Sequence, residues 1–207
     1  MRAAHRVEDI RAAEAKLIEE LQRAGRGIDV LMERASTGLA TASIALLGRV
    51  YGARVVLLVG SGDNGGDALY AGAQLARRGA RVDALLLVRD RAHPRGLAAL
   101  RVAGGRVSDD PEVLDRADLV LDGIVGIGAS GGLRPDAAAL ADRAAAGPGL
   151  VVAVDLPSGV AADTGEVPGP ATRADATVTF GTWKPALLAD PAAGLAGAAT
   201  LVDIGLG

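Results

Sequence analysis

A mostly parallel α/β fold is what this sequence predicts, and three features predict it. Beyond residue 54 the apolar residues fall in short continuous runs without apolar/polar alternation, the mark of strands covered on both faces. Segments of helical composition separate those runs, as in sheets built with right-handed crossovers. Residues 55–67, Val-Val-Leu-Leu-Val-Gly-Ser-Gly-Asp-Asn-Gly-Gly-Asp, lead from an apolar run through a glycine loop into a helix. An α/β protein presents backbone N–H groups to a phosphate-bearing ligand in this way.

Two helical segments come first. Ile10, Ala13, Leu17 and Leu21 fall at helical spacing, with Arg11, Glu14, Glu19 and Glu20 on other faces. Leu31, Ala35, Leu39, Ala42 and Leu46 make a second stripe, and Gly25-Arg26-Gly27 breaks the chain between them. Both are expected to pack on the sheet through their apolar sides. Strands are expected over 54–59, 81–88, 118–121, 150–154, 176–180 and 200–204, with crossover helices over 68–78, 94–103 and 134–146. The last two strands have short connections, which leave their order and direction open.

At 207 residues, half of them apolar, the chain reads as one domain over 1–207 with a full core. A net charge of −3 offers no electrostatic footprint for nucleic acid or a membrane surface. The few aromatics (Tyr51, Tyr70, Phe180, Trp183) supply no base-stacking platform. The absence of cysteine excludes disulfides, thiolate catalysis and a Cys zinc site. The first residues hold no apolar signal core, and no apolar run approaches the ~20 residues of a membrane helix. A cytoplasmic protein is expected.

The polar residues gather where strands end. The first strand runs into 60–67, the third into Asp122-Gly123-Ile124-Val125-Gly126-Ile127-Gly128, and the fourth into Asp155-Leu156-Pro157-Ser158-Gly159. In an open parallel sheet those ends share one edge, so Asn64, Asp67, Asp122, Asp155 and Ser158 are expected to converge there. Each Asp could also serve as an ordinary helix cap. Gly60-Ser-Gly62-Asp-Asn-Gly65 matches G-x-G-x-x-G, a weak signal alone. No acidic residue ends the second strand to hold a ribose, and no Gly-Lys-Ser/Thr appears. A loop carrying Asp63 and Asp67 suits sugar hydroxyls, a cation or chemistry better than bare anion attraction. Asn64, Asp122 and Ser158 are hard oxygen donors, fitted to an alkali or alkaline-earth cation and not to zinc.

His5 and His93 look like terminal and surface residues, so a Ser158 nucleophile lacks its usual base. Asp155, following an apolar strand, is the better acid–base candidate. Lys184 is a second, although a lysine after a strand is most often a surface charge.

Gly-Ser-Gly-Asp-Asn-Gly-Gly-Asp, Asp-Gly-Ile-Val-Gly-Ile-Gly, Val-Asp-Leu-Pro-Ser-Gly and Asp-Ala-Thr-Val-Thr-Phe-Gly-Thr-Trp-Lys-Pro occur in that order. Together they resemble the NAD(P)H-hydrate epimerases, the YjeF N-terminal domain family, over nearly the whole chain. The resemblance implies a three-layer α/β/α sandwich with a Rossmann-like sheet, and an isomerase that interconverts the R and S epimers of hydrated NADH and NADPH (NADHX, NADPHX). It implies substrate contacts at Asp63, Asn64, Gly65, Gly66 and Asp67. Further contacts are implied at Gly126, Ile127, Gly128, Ala129, Ser130, Gly131 and Gly132, and at Asp155. It also implies one potassium ion per subunit on Asn64, Asp122 and Ser158, with Asp155 placed as acid or base.

The implied partner is an ADP- or ATP-dependent NAD(P)H-hydrate dehydratase. A homodimer through the two leading helices is expected from their extra apolar surface. Three positions depart from the usual pattern: Asp63 adds a negative charge, Ala68 replaces a glycine, and Val125 replaces a phenylalanine. The alternatives are a non-catalytic nucleotide-binding or scaffolding domain, and the epimerase half of a bifunctional epimerase–dehydratase.

Overall fold

The computed structural model describes residues 3–27, 29–128 and 131–206. Helices α1 (Val7–Arg23) and α2 (Val30–Leu47) precede the sheet. There follow β1 (Arg54–Val59), α3 (Asp63–Arg77), β2 (Arg81–Leu86), α4 (Pro94–Val102) and β3 (Arg106–Ser108). Then come β4 (Leu119–Gly123), α5 (Pro135–Ala146), β5 (Leu150–Val154), β6 (Ala176–Phe180) and β7 (Ala198–Val202). All seven strands pair in parallel, in the order β3-β2-β1-β4-β5-β6-β7.

The continuous apolar runs sort by the two-residue period of a strand. Val55, Leu57 and Val59 of β1 join Leu39 of α2, Leu69 and Leu75 of α3 and Leu100 of α4 on one face. Val56 and Leu58 face the other way, onto Ala137, Ala141 and Ala144 of α5 and Leu114 of a short 3-10 turn. Helices thus cover both faces and make three layers. The crossover from β5 to β6 contains no α-helix; its Leu156, Val160 and Ala162 pack with Leu187, Ala192 and Ala196 in a separate small core.

Several elements differ from their sequence-based boundaries. The edge strand β3 was not expected: its three residues are at most half-buried and carry no apolar run. β2 ends at Leu86, β4 extends through Asp122 and Gly123, and β7 starts two residues earlier than expected. Helix α3 begins at Asp63, not near Ala68, so Asn-Gly-Gly-Asp forms helical turns rather than a loop. Gly62, at φ 117°, turns the chain into it.

Close approach explains two glycines here. A Cβ on Gly60 would lie 1.7 Å from the carbonyl oxygen of Ile124, and one on Gly123 would lie 2.7 Å from Cβ of Ala68. The start of α3 is thereby pressed onto the end of β4.

Helix α2 is long and apolar enough by composition to cross a membrane. Here it packs against α3 and the β6–β7 side of the sheet, with Leu39 and Ala40 fully covered. Helix α1 buries only Ile10 completely. Its outer part lies along the carboxyl edge of the strands, described next.

Candidate active site

The strand order reverses between β1 and β4: β2 and β3 lie on one side of this point, β5 to β7 on the other. A hollow of about 950 Å³ opens over the reversal, at the crevice where open α/β sheets take ligands. Asp63, Asn64 and Asp67 of α3 line it, with Val125, Gly126, Ile127 and Gly128 from the segment after β4. Asp155 enters from the end of β5, and Phe180 and Lys184 from the end of β6. Arg11 and Glu14 of α1 close the outer wall.

Asp122 and Ser158 lie beneath this lining, each fully buried. Ser158 N–H donates to Oδ2 of Asp122 at 2.9 Å, and its hydroxyl donates to Oδ1 at 2.7 Å. The hydroxyl oxygen accepts from Val125 N–H at 3.0 Å and lies 3.0 Å from the Val125 carbonyl. Burial pushes the Asp122 carboxyl up, against the pull of these donors.

Asn64 of α3 approaches the segment that follows β4. Its Oδ1 is 3.0 Å from where a Cβ on Gly126 would sit, and its Nδ2 is buried without a partner. Amide N and O are interchangeable by rotation, so this group can turn an unpaired oxygen inward. An orphaned amide, a buried carboxylate and a buried hydroxyl are hard oxygen donors of the kind that an alkali or alkaline-earth cation takes. No three His, Cys, Asp or Glu side chains among the described residues group as a transition-metal site would require.

Asp155 sits at φ 68°, the one non-glycine residue at positive φ among those described. A left-handed backbone there costs a β-carbon residue energy that its surroundings must hold in place. Three donors do so. Oδ1 accepts from Thr179 Oγ1 at 3.0 Å, from Phe180 N–H at 3.2 Å and from the Lys184 ammonium.

Lys184 is 1% exposed, against the expectation of a surface charge. Its Nζ also donates to Phe180 O at 2.8 Å and Thr179 Oγ1 at 3.0 Å. Asp155 therefore lies in a polar cradle, where the sequence suggested an apolar setting.

Two of the other carboxyls that line the hollow are shifted. Burial, then the neighbouring Asp155, Asp63 and Glu14 charges, raises Asp67 well above the usual carboxylate range; its Oδ1 is buried and unpartnered. Glu14 is also raised, by burial first and then by Asp155. The sequence placed Arg11 and Glu14 merely off the apolar stripe of α1, and nothing in the spacing marked that side as pocket wall.

His93 lies in the wall too, and its Nδ1 accepts from Gly96 N–H at 3.0 Å to cap α4. His5 is bound rather than loose: its N–H donates to Trp183 O at 2.9 Å and its ring to or from Thr182 Oγ1 at 2.7 Å.

Not every expected contact reaches the hollow. Gly65 and Gly66 are buried in α3, where a Cβ on Gly66 would press on Met32 and His93. Gly132 packs against Gly169 instead, and neither it nor Gly131 lines the cavity. Ala129 and Ser130 lie outside the described residues.

A family model for the YjeF-related protein N-terminus matches residues 28–186. The chain belongs to the YjeF N-terminal family. Its members include the bifunctional NAD(P)H-hydrate repair enzyme Nnr of Mycobacterium leprae, 51% identical over 100% of this chain and 42% of that protein. The NAD(P)H-hydrate epimerase of Microbacterium testaceum is 44% identical, over 99% of this chain and 79% of that one. The epimerase of Clavibacter michiganensis is also 44% identical, over 96% and 88%.

This YjeF N-terminal chain spans 42% of the length of the bifunctional relatives of M. leprae and M. tuberculosis. The crystal structure of yeast YNL200c shares the fold, with a TM-score of 0.69 at 23% identity over 83% of this chain and 79% of that one.

Proposed function

We propose that the protein is an NAD(P)H-hydrate epimerase that interconverts the R and S epimers of NADHX and NADPHX. The observation that carries this reading is Asp155, set in the floor of a nucleotide-sized hollow with one oxygen cradled by three donors. Identity of 44% to proteins named as epimerases, over nearly the whole chain, supports it.

The hydrate carries its hydroxyl at C6, beside the ring nitrogen. Inversion requires the loss and return of that oxygen on the other face, or ring opening and reclosure. Both routes need a group that takes and returns a proton at the hydroxyl, and neither changes the oxidation state. Asp155 serves as that group, through its oxygen outside the cradle.

The N–H groups in the first turn of α3, unspent within the helix, hold phosphate together with Gly126, Ile127 and Gly128. Asp63, Asn64 and Asp67 meet the sugars. Asn64, Asp122 and Ser158 would hold a potassium ion, whose positive charge would offset the surrounding carboxylates. This chain's part is to keep those donors assembled, which Ser158 does by bonding to both Asp122 and Val125.

In cells the protein acts in the cytoplasm with an ADP- or ATP-dependent dehydratase, carried on the same chain or separate; the bifunctional relatives favour a linked one. A homodimer would form through the two leading helices; on α2, Thr37, Gly38, Ala42 and Ala45 line a shallow groove bordered by Glu33, Arg34 and Asp203.

The test is turnover of one purified epimer, followed by NMR with and without potassium. The wild type equilibrates the epimers, and Asp155→Asn slows this by about 10²–10⁴-fold, the usual contribution of acid–base catalysis. An Asp155→Asn protein working at the wild-type rate would remove Asp155 from the reaction.

A further inference from the structure

Lys184 is buried where a lysine is costly, and the epimerase reading gives it no role. Its ammonium is 1% exposed and spends its three hydrogens on Asp155 Oδ1, Thr179 Oγ1 and Phe180 O. Stability does not explain its presence, because a buried ion pair is commonly no better than apolar residues of the same volume. Three features act on Asp155 at once: Lys184 from β6's end, Thr179 and Phe180 N–H from β6 itself, and a left-handed backbone at φ 68°. All three donors converge on Oδ1, and among the described residues no hydrogen bond to Oδ2 is formed.

We propose that Lys184 is a positioning residue that pins Oδ1 of Asp155, aided by Thr179, so that the second carboxylate oxygen alone is presented to the substrate hydroxyl. Its role as a positioner rests on the epimerase reading; the pinning itself does not. A carboxylate held by one oxygen cannot rotate to exchange its two oxygens. Proton give-and-take then occurs at one fixed point over the floor of the hollow. Lys184 makes no contact with the reacting atoms in this scheme. It acts through Asp155.

The experiment is a double-mutant cycle on Asp155→Asn and Lys184→Met, with Thr179→Val as a milder lever. Misplacing a reacting group by about an ångström costs on the order of 10²-fold. Lys184→Met is therefore expected to lower kcat about 100-fold with KM within about threefold of wild type. The double variant should be no slower than Asp155→Asn alone, because coupled residues lose their effect once.

Thr179→Val, which leaves no buried charge unpaired, should lower kcat by about fivefold to tenfold. It carries the test if Lys184→Met does not fold. Losses that multiply in the cycle, a Lys184 effect confined to KM, or a Thr179→Val protein with wild-type kcat would each overturn the proposal.

A substrate-free readout separates this failure from failure of the epimerase reading. The Asp155 carboxyl 13C resonance, assigned by its loss in Asp155→Asn, should move in Lys184→Met and Thr179→Val. An unmoved signal refutes the pinning whether or not the wild type turns over epimers.

Discussion

Asp67 shows how this site strains its own residues. The carboxyl is 7% exposed, has one buried oxygen without a partner, and is raised well above the usual range by burial and nearby acids. An unfolded chain ionises it at the ordinary value. Between the ordinary and the raised value the folded protein binds more protons, so stability falls as pH climbs through that window. Asp67→Asn keeps the shape and removes the ionisation. It is expected to raise the melting temperature at pH 7 by roughly 4–8 °C, equivalent to about 2 kcal/mol, with the gain fading as pH drops toward the ordinary carboxylate range. A gain that stays constant across that range would contradict the assignment.

The placement of Asp155, Asn64 and Asp122 at one edge of the sheet could be read from sequence because each follows or ends an apolar strand. Lys184 was legible only as a second acid–base candidate and its burial was not, since one lysine after a strand looks the same whether it faces solvent or an aspartate. Glu14 and Arg11 were equally hidden, because helical spacing tells which side is apolar but not what the other side overlooks.

At the level of elements, α3 and β4 are fitted to each other through the pair Ala68 and Gly123. Family resemblance suggests glycine at 68, and the alanine found there is accommodated by the bare Cα of Gly123. Gly123→Ala would set two Cβ atoms 2.7 Å apart and lift the start of α3. Overpacking of this sort costs about 1–3 kcal/mol. Adding Ala68→Gly should restore most of that stability in chemical denaturation, whereas a double variant as weak as the single would show that the clash lies elsewhere.

The same fit explains a misread boundary. Asn-Gly-Gly carries the composition of a loop, yet the glycines are there to bring a helix end close. β1, β5 and β6 were legible to the residue because their runs are buried on both faces. The three-residue β3, with Arg106 exposed at the sheet edge, gave no such run.

For the molecule as a whole, the proposed cation donors Asp122, Ser158 and Asn64 come from β4, the β5–β6 crossover and α3, so an ion bound to all three should brace the entire fold. Potassium at about 100 times its dissociation constant is expected to add about 2.7 kcal/mol. Scanning calorimetry should show that increment with potassium and less with lithium, and Asn64→Ala should lose it. Equal melting curves in all three cases would discard the cation site. The shared carboxyl edge beneath the hollow was readable from alternating elements, whereas the reversal of strand order there was not. The parallel direction of β6 and β7 was not, because their connections lack the helices that announce a crossover.

Ala4 pairs in parallel with Trp183, next door to Lys184, while His5 and Val7 tie to Thr182, Trp183 and Asp163. The front of the polypeptide is thus a clasp on the turn that carries the ammonium. A peptidase cutting ahead of Val7 would unfasten that turn from a distance, dulling the protein while every pocket side chain stayed intact.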